Sequence, residues 1–406
     1  MRMPVRRIAL VTPLLPVPRD PTRGRFLYET ARALSKIATV RVFLQHPRYL
    51  SLRALLPKRL AFADVGAGFQ LDGLDLETIE YPALPVVSRA LNGWVSGASL
   101  LPRLRAFAPE IVLAYWVYPD GFGAQRAAAR LALPCVIGAL GTDIHGREGL
   151  SQKLTRRTIQ RCRDLIVVSE AMRQYAVDFY GARPQDVRTI TNGFNARVFR
   201  PREQGQARTE LRVEIDAKLI VYVGRLVETK GLRELLDAFE WVHQRNARAR
   251  LVIIGEGPMC DELASTIAAR GLQASAQLAG GLAPEKVAQW IGASDLLTLP
   301  SWSEGYPNVV VEALACGRPV VASRVGGIGE IVNDDCGILV AARDAKALAQ
   351  ALETALARAW DRAAIAARMK RSWDDVAAET LAVCESALGR TLTPGPGPAR
   401  RAGEGV

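Results

Sequence analysis

Residues 303–323 read SEGYPNVVVEALACGRPVVAS: a loop, then a helical run, then a short apolar strand at RPVVAS (318–323). Glu304 falls in the loop and Glu312 eight positions later, inside the helical run. DLLTLPS (295–301), just upstream, is another apolar strand. Strand, helix and strand in succession make one step of a parallel sheet covered by helices.

The same alternation recurs outward from this stretch. KLIVYVGRL (218–226) and RLVIIGEG (250–257) read as strands, with the helical LRELLDAFEWVHQ (232–244) between them. In the first half RIALVTPLL (7–15), TVRVF (39–43), EIVLAYW (110–116), PCVIGAL (134–140) and DLIVVS (164–169) are strands separated by helical patterns such as RFLYETARALSKI (25–37). The pattern pauses at TITNGFNARVFRP (189–201), an Asn-Gly turn and an extended stretch, which places a domain boundary at 199/200. The expected architecture is α/β: two Rossmann-like, doubly wound parallel-sheet domains, residues 1–199 and 200–388, facing a central cleft where the strands' carboxyl ends bind ligands. Residues 344–388 read as terminal helices that pack back on the first domain, and 389–406 as a disordered tail too rich in Pro and Gly to pack.

At 49% hydrophobic and 23% charged, the 406-residue chain is neither disordered nor collagen-like. Its six cysteines, none within four residues of another, leave no zinc knuckle or CxxC pair and fit buried thiols in a reducing cytosol. No run of 18 apolar residues marks a membrane span, and MRMPVRRIALVTPLLP reads as a first strand rather than a signal peptide. The net charge of +12 is uneven: residues 1–199 hold 28 Lys/Arg against 15 Asp/Glu, residues 200–406 hold 25 against 26. A basic half suits nucleic acid, anionic lipid or a phosphorylated substrate, or is a solvated arginine-rich surface, and charge alone does not choose. Nucleic acid is disfavoured, because that half lacks the aromatic-basic interleaving of single-strand platforms.

Common phosphate and hydrolase motifs fail. No GxxxxGK[ST] or GxSxG string occurs, GEGPMC (255–260) has cysteine at the third position of GxGxxG, and only three histidines are present. Metal-ligand spacing is absent. What remains is GRLVETKG (224–231), whose Arg225 and Lys230 follow a strand, and the Glu304/Glu312 pair, with the amides of Asn308, Val309 and Val310 opening a helix toward an anion. Two fixed cations suit a diphosphate. Solvent-exposed flanking charges and a carboxylate at a helix start are the bland alternatives, weakened for Glu312 by its apolar surroundings.

The order GRLVETKG, GEGP, PSWSEGYPNVVVEALACGRPVVAS and the region around Trp373, with YWVYPDG (115–121), GTDIH (141–145) and the ITNGFNARVFRP linker, resembles the retaining nucleotide-sugar glycosyltransferases of family 4, which have the GT-B fold. The first-half motifs resemble members that assemble capsular, extracellular or cell-wall polysaccharides. The resemblance implies that Arg225 and Lys230 hold the diphosphate of a nucleoside-diphosphate-sugar, that Glu304 contacts the donor sugar and that Glu312 binds ribose hydroxyls. Gly24, Gly224, Gly305, Asn308, Val309 and Val310 complete the donor side, Asp143 joins the catalytic group, and Tyr115, Asp120 and His145 face the acceptor. Members commonly have histidine where this chain has Tyr115. No cofactor or metal is implied, since the cations supply the charge that a divalent ion supplies elsewhere.

The leading expectation is sugar transfer to a glycan acceptor, lipid-linked, by a cytoplasmic enzyme at the inner face of the plasma membrane. A soluble small acceptor such as a sugar phosphate, and a nucleotide-sugar-binding protein without turnover, are the alternatives. HPRYLSLRALLPKRLAFA (46–63) has the composition of a basic amphipathic segment on an anionic bilayer, or equally of a surface helix packed on the core.

Overall fold

A computed structural model of the chain describes residues 7–18, 20, 23–49, 65, 68–83 and 91–389. It divides into two compact units: Met1–Val167 with Arg173–Arg188 and Ala377–Val406, and Val168–Met172 with Thr189–Val376. The division falls at 188/189 rather than 199/200, and burial explains the shift. Phe194 and Phe199, beyond the Asn-Gly turn, belong to the core of the second unit, and the Phe194 amide donates to the Arg371 carbonyl.

The first unit holds a seven-stranded sheet built from β1 (Arg7–Thr12), β2 (Thr39–Tyr49), β3 (Asp75–Ala83), β4 (Ile111–Tyr115), β5 (Cys135–Gly138), β6 (Asp164–Val167) and β7 (Val187–Thr189) in the order β3-β2-β1-β4-β5-β6-β7. The pairs from β3 to β6 are parallel. Ile8 to Val11 and Ile111 to Ala114 are fully buried, as strands covered on both faces must be. Helices α1 (Arg25–Leu34), α2 (Asn92–Phe107), α3 (Phe122–Arg130), α4 (Gly149–Arg161) and α5 (Glu170–Tyr180) alternate with the strands. His46 to Tyr49 extend β2, and the remainder of the expected amphipathic segment, 50–63, lies outside the described residues.

The second unit carries β8 (Lys218–Val223), β9 (Ala249–Ile254), β10 (Ala276–Gly280), β11 (Leu296–Leu299), β12 (Val320–Ser323) and β13 (Gly337–Val340), all neighbours parallel, in the order β10-β9-β8-β11-β12-β13. Its helices run from α6 (Gln204–Leu211) through α7 (Leu232–Arg245), α8 (Cys260–Ala269), α9 (Pro284–Ala293), α10 (Asn308–Ala315), α11 (Ile328–Ile331), α12 (Ala345–Ala357) and α13 (Arg362–Ala367) to α14 (Trp373–Gly389), whose residues from Ala377 onward belong to the first unit. The expected tail beyond α14, 390–406, lies outside the described residues. Among the described residues no helix is long and apolar enough to cross a membrane.

In both sheets the strand order reverses direction beside the first strand, which is where doubly wound sheets open a crevice at the strands' carboxyl ends. In the second sheet the reversal lies between β8 and β11, so the loops following these two strands leave side by side. Gly231, at φ 66°, ends the first of these loops, and a side chain there would drive its Cβ into the Pro300 carbonyl oxygen of the other. Gly271 has nearly the same φ, 67°, with nothing near its missing side chain. The pair separates backbone preference from crowding. Gly271→Ala is expected to cost about 1 kcal/mol, the left-handed penalty alone, and Gly231→Ala about 3 kcal/mol or more, because crowding adds to it. Chemical denaturation of both variants checks this; equal losses would show that the two loops do not constrain each other.

Candidate functional site

The loop after β8 turns sharply at Gly224 and Arg225. The buried Tyr222 phenol holds that turn by donating to the Arg225 carbonyl at 3.1 Å. A single helical turn, Glu228–Lys230, then brings Lys230 back toward the sheet. After β11 the chain runs through Pro300 to Pro307 into α10. Trp302 fastens this second loop to the first: its amide donates to the Thr229 carbonyl at 2.8 Å and its indole Nε1 to Glu234 Oε1 at 2.9 Å. Behind it, the Gly327 amide donates to the Gly305 carbonyl at 2.9 Å.

Between the two loops Lys230 Nζ meets Glu304 Oε1 at 2.5 Å, with the side chains only 22% and 10% exposed. A pair this sheltered from water interacts far more strongly than a surface pair, and each partner offsets the desolvation of the other. Arg225, on the same loop as Lys230, is exposed and makes no ion pair among the described residues. Burial, and after it the charge of Glu304, push the Tyr222 phenol well above its ordinary range.

α10 begins beside this pair. Its cap is Pro307, which has no side-chain acceptor, so the first amides of the helix receive no side-chain cap. Of the three amides expected to face an anion, that of Val310 is already bonded to the Pro307 carbonyl at 3.1 Å. The Asn308 side chain is held by Asn192, whose Nδ2 donates to Asn308 Oδ1 at 2.8 Å. Glu312 lies one turn further on and is partly buried; burial, then its charge, push the neighbouring Cys316 thiol up to about 12. Among the described residues no group of three or more His, Cys, Asp and Glu side chains could hold a metal ion.

In the first unit the expected site residues separate into different environments. Gly24 caps α1 at φ 59°, and a Cβ there would lie 2.6 Å from the Leu14 carbonyl, so the chain has no room for a side chain. Asp143 is fully buried, and its carboxylate accepts from the amides of Leu140 (2.8 Å), Gly141 (2.9 Å) and Val117 (3.1 Å). These bonds tie the loop after β5 to the loop after β4. The Tyr115 ring packs on Gly138, its phenol bonds Thr380 of α14, and the residue is 5% exposed.

Asp120 is 2% exposed, and its Oδ1 has no hydrogen-bond partner. Burial raises its carboxyl to about 7, against the opposing pull of its own amide and of Arg23 and Arg147. His145 is partly buried with its ring 4.3 Å from that of Tyr175, and burial lowers its pKa, keeping the imidazole neutral near neutrality. Sequence reasoning missed Tyr222, Trp302, Glu234 and Asn192. The first is hidden in an apolar strand, and the others act through contacts that no local pattern encodes.

Asp120 gives a pH prediction. Its folded pKa lies above the unfolded value of about 4, so between about pH 4 and pH 7 the folded chain keeps a proton that the unfolded chain releases. Stability therefore falls as pH rises through that window and levels off above it. Melting temperatures of the parent and of Asp120→Asn at about pH 5 and about pH 8 should show the variant gaining on the parent at the higher pH. A difference that stays constant with pH would remove the assignment.

Comparison with known proteins agrees with this architecture. A model described as Glycosyltransferase Family 4 matches residues 24–198, and one described as Glycosyl transferases group 1 matches 217–358. The chain is 26% identical to a putative teichuronic acid biosynthesis glycosyltransferase, TuaC of Bacillus subtilis, over 85% of this chain and 88% of the relative. It is 32% identical to a D-inositol 3-phosphate glycosyltransferase of Acidothermus cellulolyticus over 53% of this chain, spanning about half (52%) of that relative. Among solved structures, Anabaena HepE in complex with UDP and glucose aligns over 93% of this chain and 99% of that one at TM-score 0.72 and 19% identity. A Rickettsia africae glycosyltransferase aligns over 95% and 100% at TM-score 0.73 and 17% identity. With both halves matched in order and the GT-B fold shared, the chain is a glycosyltransferase belonging to glycosyltransferase family 4.

Proposed function

We propose that this glycosyltransferase takes a nucleoside-diphosphate-sugar and transfers the sugar, with retention, to a glycan acceptor in polysaccharide biosynthesis. The observation that carries the reading is the sheltered Lys230–Glu304 pair with the unpaired Arg225 beside it, at the carboxyl edge of the central strands. Cleaving the bond between the sugar's anomeric carbon and the diphosphate oxygen leaves negative charge on the leaving group. Arg225 and Lys230 are the cations that meet it. Glu304 holds the sugar beside the carbon where positive charge develops, and Glu312 accepts from the ribose hydroxyls. The acceptor hydroxyl attacks from the face the diphosphate leaves, forming the new glycosidic bond, and passes its proton to a departing phosphate oxygen. Gly224 and Gly305, on the two loops, bring backbone to the diphosphate.

The acceptor is lipid-linked and presented at the inner face of the plasma membrane; the TuaC relative, named for teichuronic acid biosynthesis, favours the polysaccharide part of this reading. The relative named for D-inositol 3-phosphate favours a second reading, a soluble phosphorylated acceptor. Activity that needs no membrane fraction would select the second. Transfer is expected to persist in excess EDTA, because two protein cations attend the diphosphate. Loss of activity there, restored by manganese or magnesium, would give the diphosphate a different partner.

The two glutamates divide the labour. Glu312→Ala should weaken nucleoside diphosphate and donor together, a uniform loss that appears in the Michaelis constant. Glu304→Ala removes the partner of Lys230 and leaves that ammonium free for phosphate, so nucleoside diphosphate affinity should hold while turnover falls roughly 100-fold or more. Titration calorimetry with nucleoside diphosphate and a transfer assay read both; parent-rate transfer by Glu304→Ala would sink the assignment.

A further inference from the structure

The basic excess of the first half concentrates on two packed helices. α3 carries Arg126 and Arg130, α4 carries Lys153, Arg156, Arg157 and Arg161, and neither helix contains an acidic residue. None of these six side chains makes an ion pair among the described residues. They crowd one another as well: after burial, the charges of Arg130 and Arg157 lower the Arg126 pKa. Cations held together without a counterion are unfavourable in the free protein and are relieved by an anionic ligand.

Beside α4 runs a row of rings. The His145 ring lies 4.3 Å from that of Tyr175, which stacks on Phe179 at 5.0 Å with an interplanar angle of 11°. The Arg156 guanidinium stands 5.8 Å from the Phe179 ring centre. Tyr180 fixes the row to the loop that bears His145, its phenol donating to the Ile144 carbonyl at 2.6 Å. Phe179, at 38% exposure, is among the few large apolar side chains left in water among the described residues.

We propose that His145, Tyr175, Phe179 and Arg156 form an acceptor track that takes an acidic glycan, a saccharide chain bearing carboxylate or phosphate groups. The proposal rests on the transferase reading above and adds the acceptor's chemical class. An aromatic face, negative at its centre, accepts the polarised C–H face of a pyranose ring; Tyr175 and Phe179 are stacked and cover each other's inner faces, so the chain meets the outer face of the exposed Phe179 and the edges of the rings behind it. A guanidinium beside the row binds a carboxylate or phosphate through two parallel hydrogen bonds, which a neutral sugar cannot offer. A bilayer would meet the same cations. The row, however, leads to His145 in the loop after β5 at the sheet's carboxyl edge, the edge at which a sugar chain must end to be extended.

The test is direct binding, read by calorimetry, of a hexasaccharide of galacturonic acid, a neutral glucan hexasaccharide, a single-stranded oligonucleotide and vesicles containing anionic phospholipid. The parent should bind the acidic hexasaccharide about 10-fold or more tightly than the neutral one, and Phe179→Ser and Arg156→Ser should each weaken that binding about 10-fold. Nucleoside diphosphate binding reports that each variant is folded, and Arg197→Ser, an exposed cation of the second unit, should bind the acidic hexasaccharide as the parent does. Equal affinity for the two hexasaccharides, or undiminished affinity in both row variants, overturns the proposal. So does an oligonucleotide or vesicle bound more tightly than the acidic hexasaccharide and lost in the same variants. A parent that binds the acidic chain through the row yet transfers no sugar from any donor keeps the track and loses the transferase reading. Transfer to neutral acceptors, unchanged in both row variants, does the reverse.

Discussion

An ammonium and a carboxylate separated by 74 residues in sequence lie 2.5 Å apart, mostly out of water, and that contact dictates much of the second unit. It requires two loops to leave the same sheet edge side by side, which a parallel sheet provides only if the strands before them are neighbours. β8 and β11 are neighbours because the strand order reverses there. Residues around the pair keep the loops in register: Tyr222 holds the first turn, Trp302 straps one loop to the other, and Gly231 leaves the space in which they approach. Neither charge could be sheltered alone, because a buried ion without its partner costs several kcal/mol. The two loops are therefore shaped around a pair of charges, and a ligand that brings its own negative charge can engage the lysine at little cost in desolvation.

How far the fold could be read from the chain depended on burial. The strands identified from apolar runs, at residues 7–15, 39–43, 110–116, 134–140, 164–169, 218–226, 250–257, 295–301 and 318–323, all lie inside their sheets. The four not read as strands are β3, β7, β10 and β13, and these are the four edges; β13, GILV, is an apolar run all the same, and its omission does not follow from polarity. An interior parallel strand is covered on both faces and must be apolar throughout, whereas an edge strand is half in water and tolerates polar residues. The alternation in DLETIEYPA of β3 is the consequence. The site shows the same dependence. Lys230 and Glu304 stand out as charges at strand ends, while Trp302 and Glu234 matter through a contact across 68 residues that no local pattern reveals.

Two aspartates of the first unit show why residue type and loop position do not fix a role. Asp120 and Asp143 both follow strand ends, both are buried, and burial raises the pKa of each. Asp143 receives three backbone amides, so its carboxylate has a structural task. Asp120 keeps an oxygen with no partner, a cost that the fold tolerates only because a proton can neutralise the group. Tyr115 carries the same lesson: its phenol, turned into the core, bonds Thr380. The difference in each case is where the hydrogen bonds go.

Charge is handled in opposite ways by the two units. The second balances its charges and spends a close pair at the centre of its sheet, so the local field is strong, short-ranged and suited to a ligand whose charge changes during reaction. The first accumulates cations on α3 and α4 with no acid on either helix, so its field is broad and largely indifferent to the exact position of an anion. A small donor that must be held at one reacting carbon needs the first kind of field. An extended polyanion is better served by the second, because a diffuse array of cations meets every position of a repeating charged chain nearly alike.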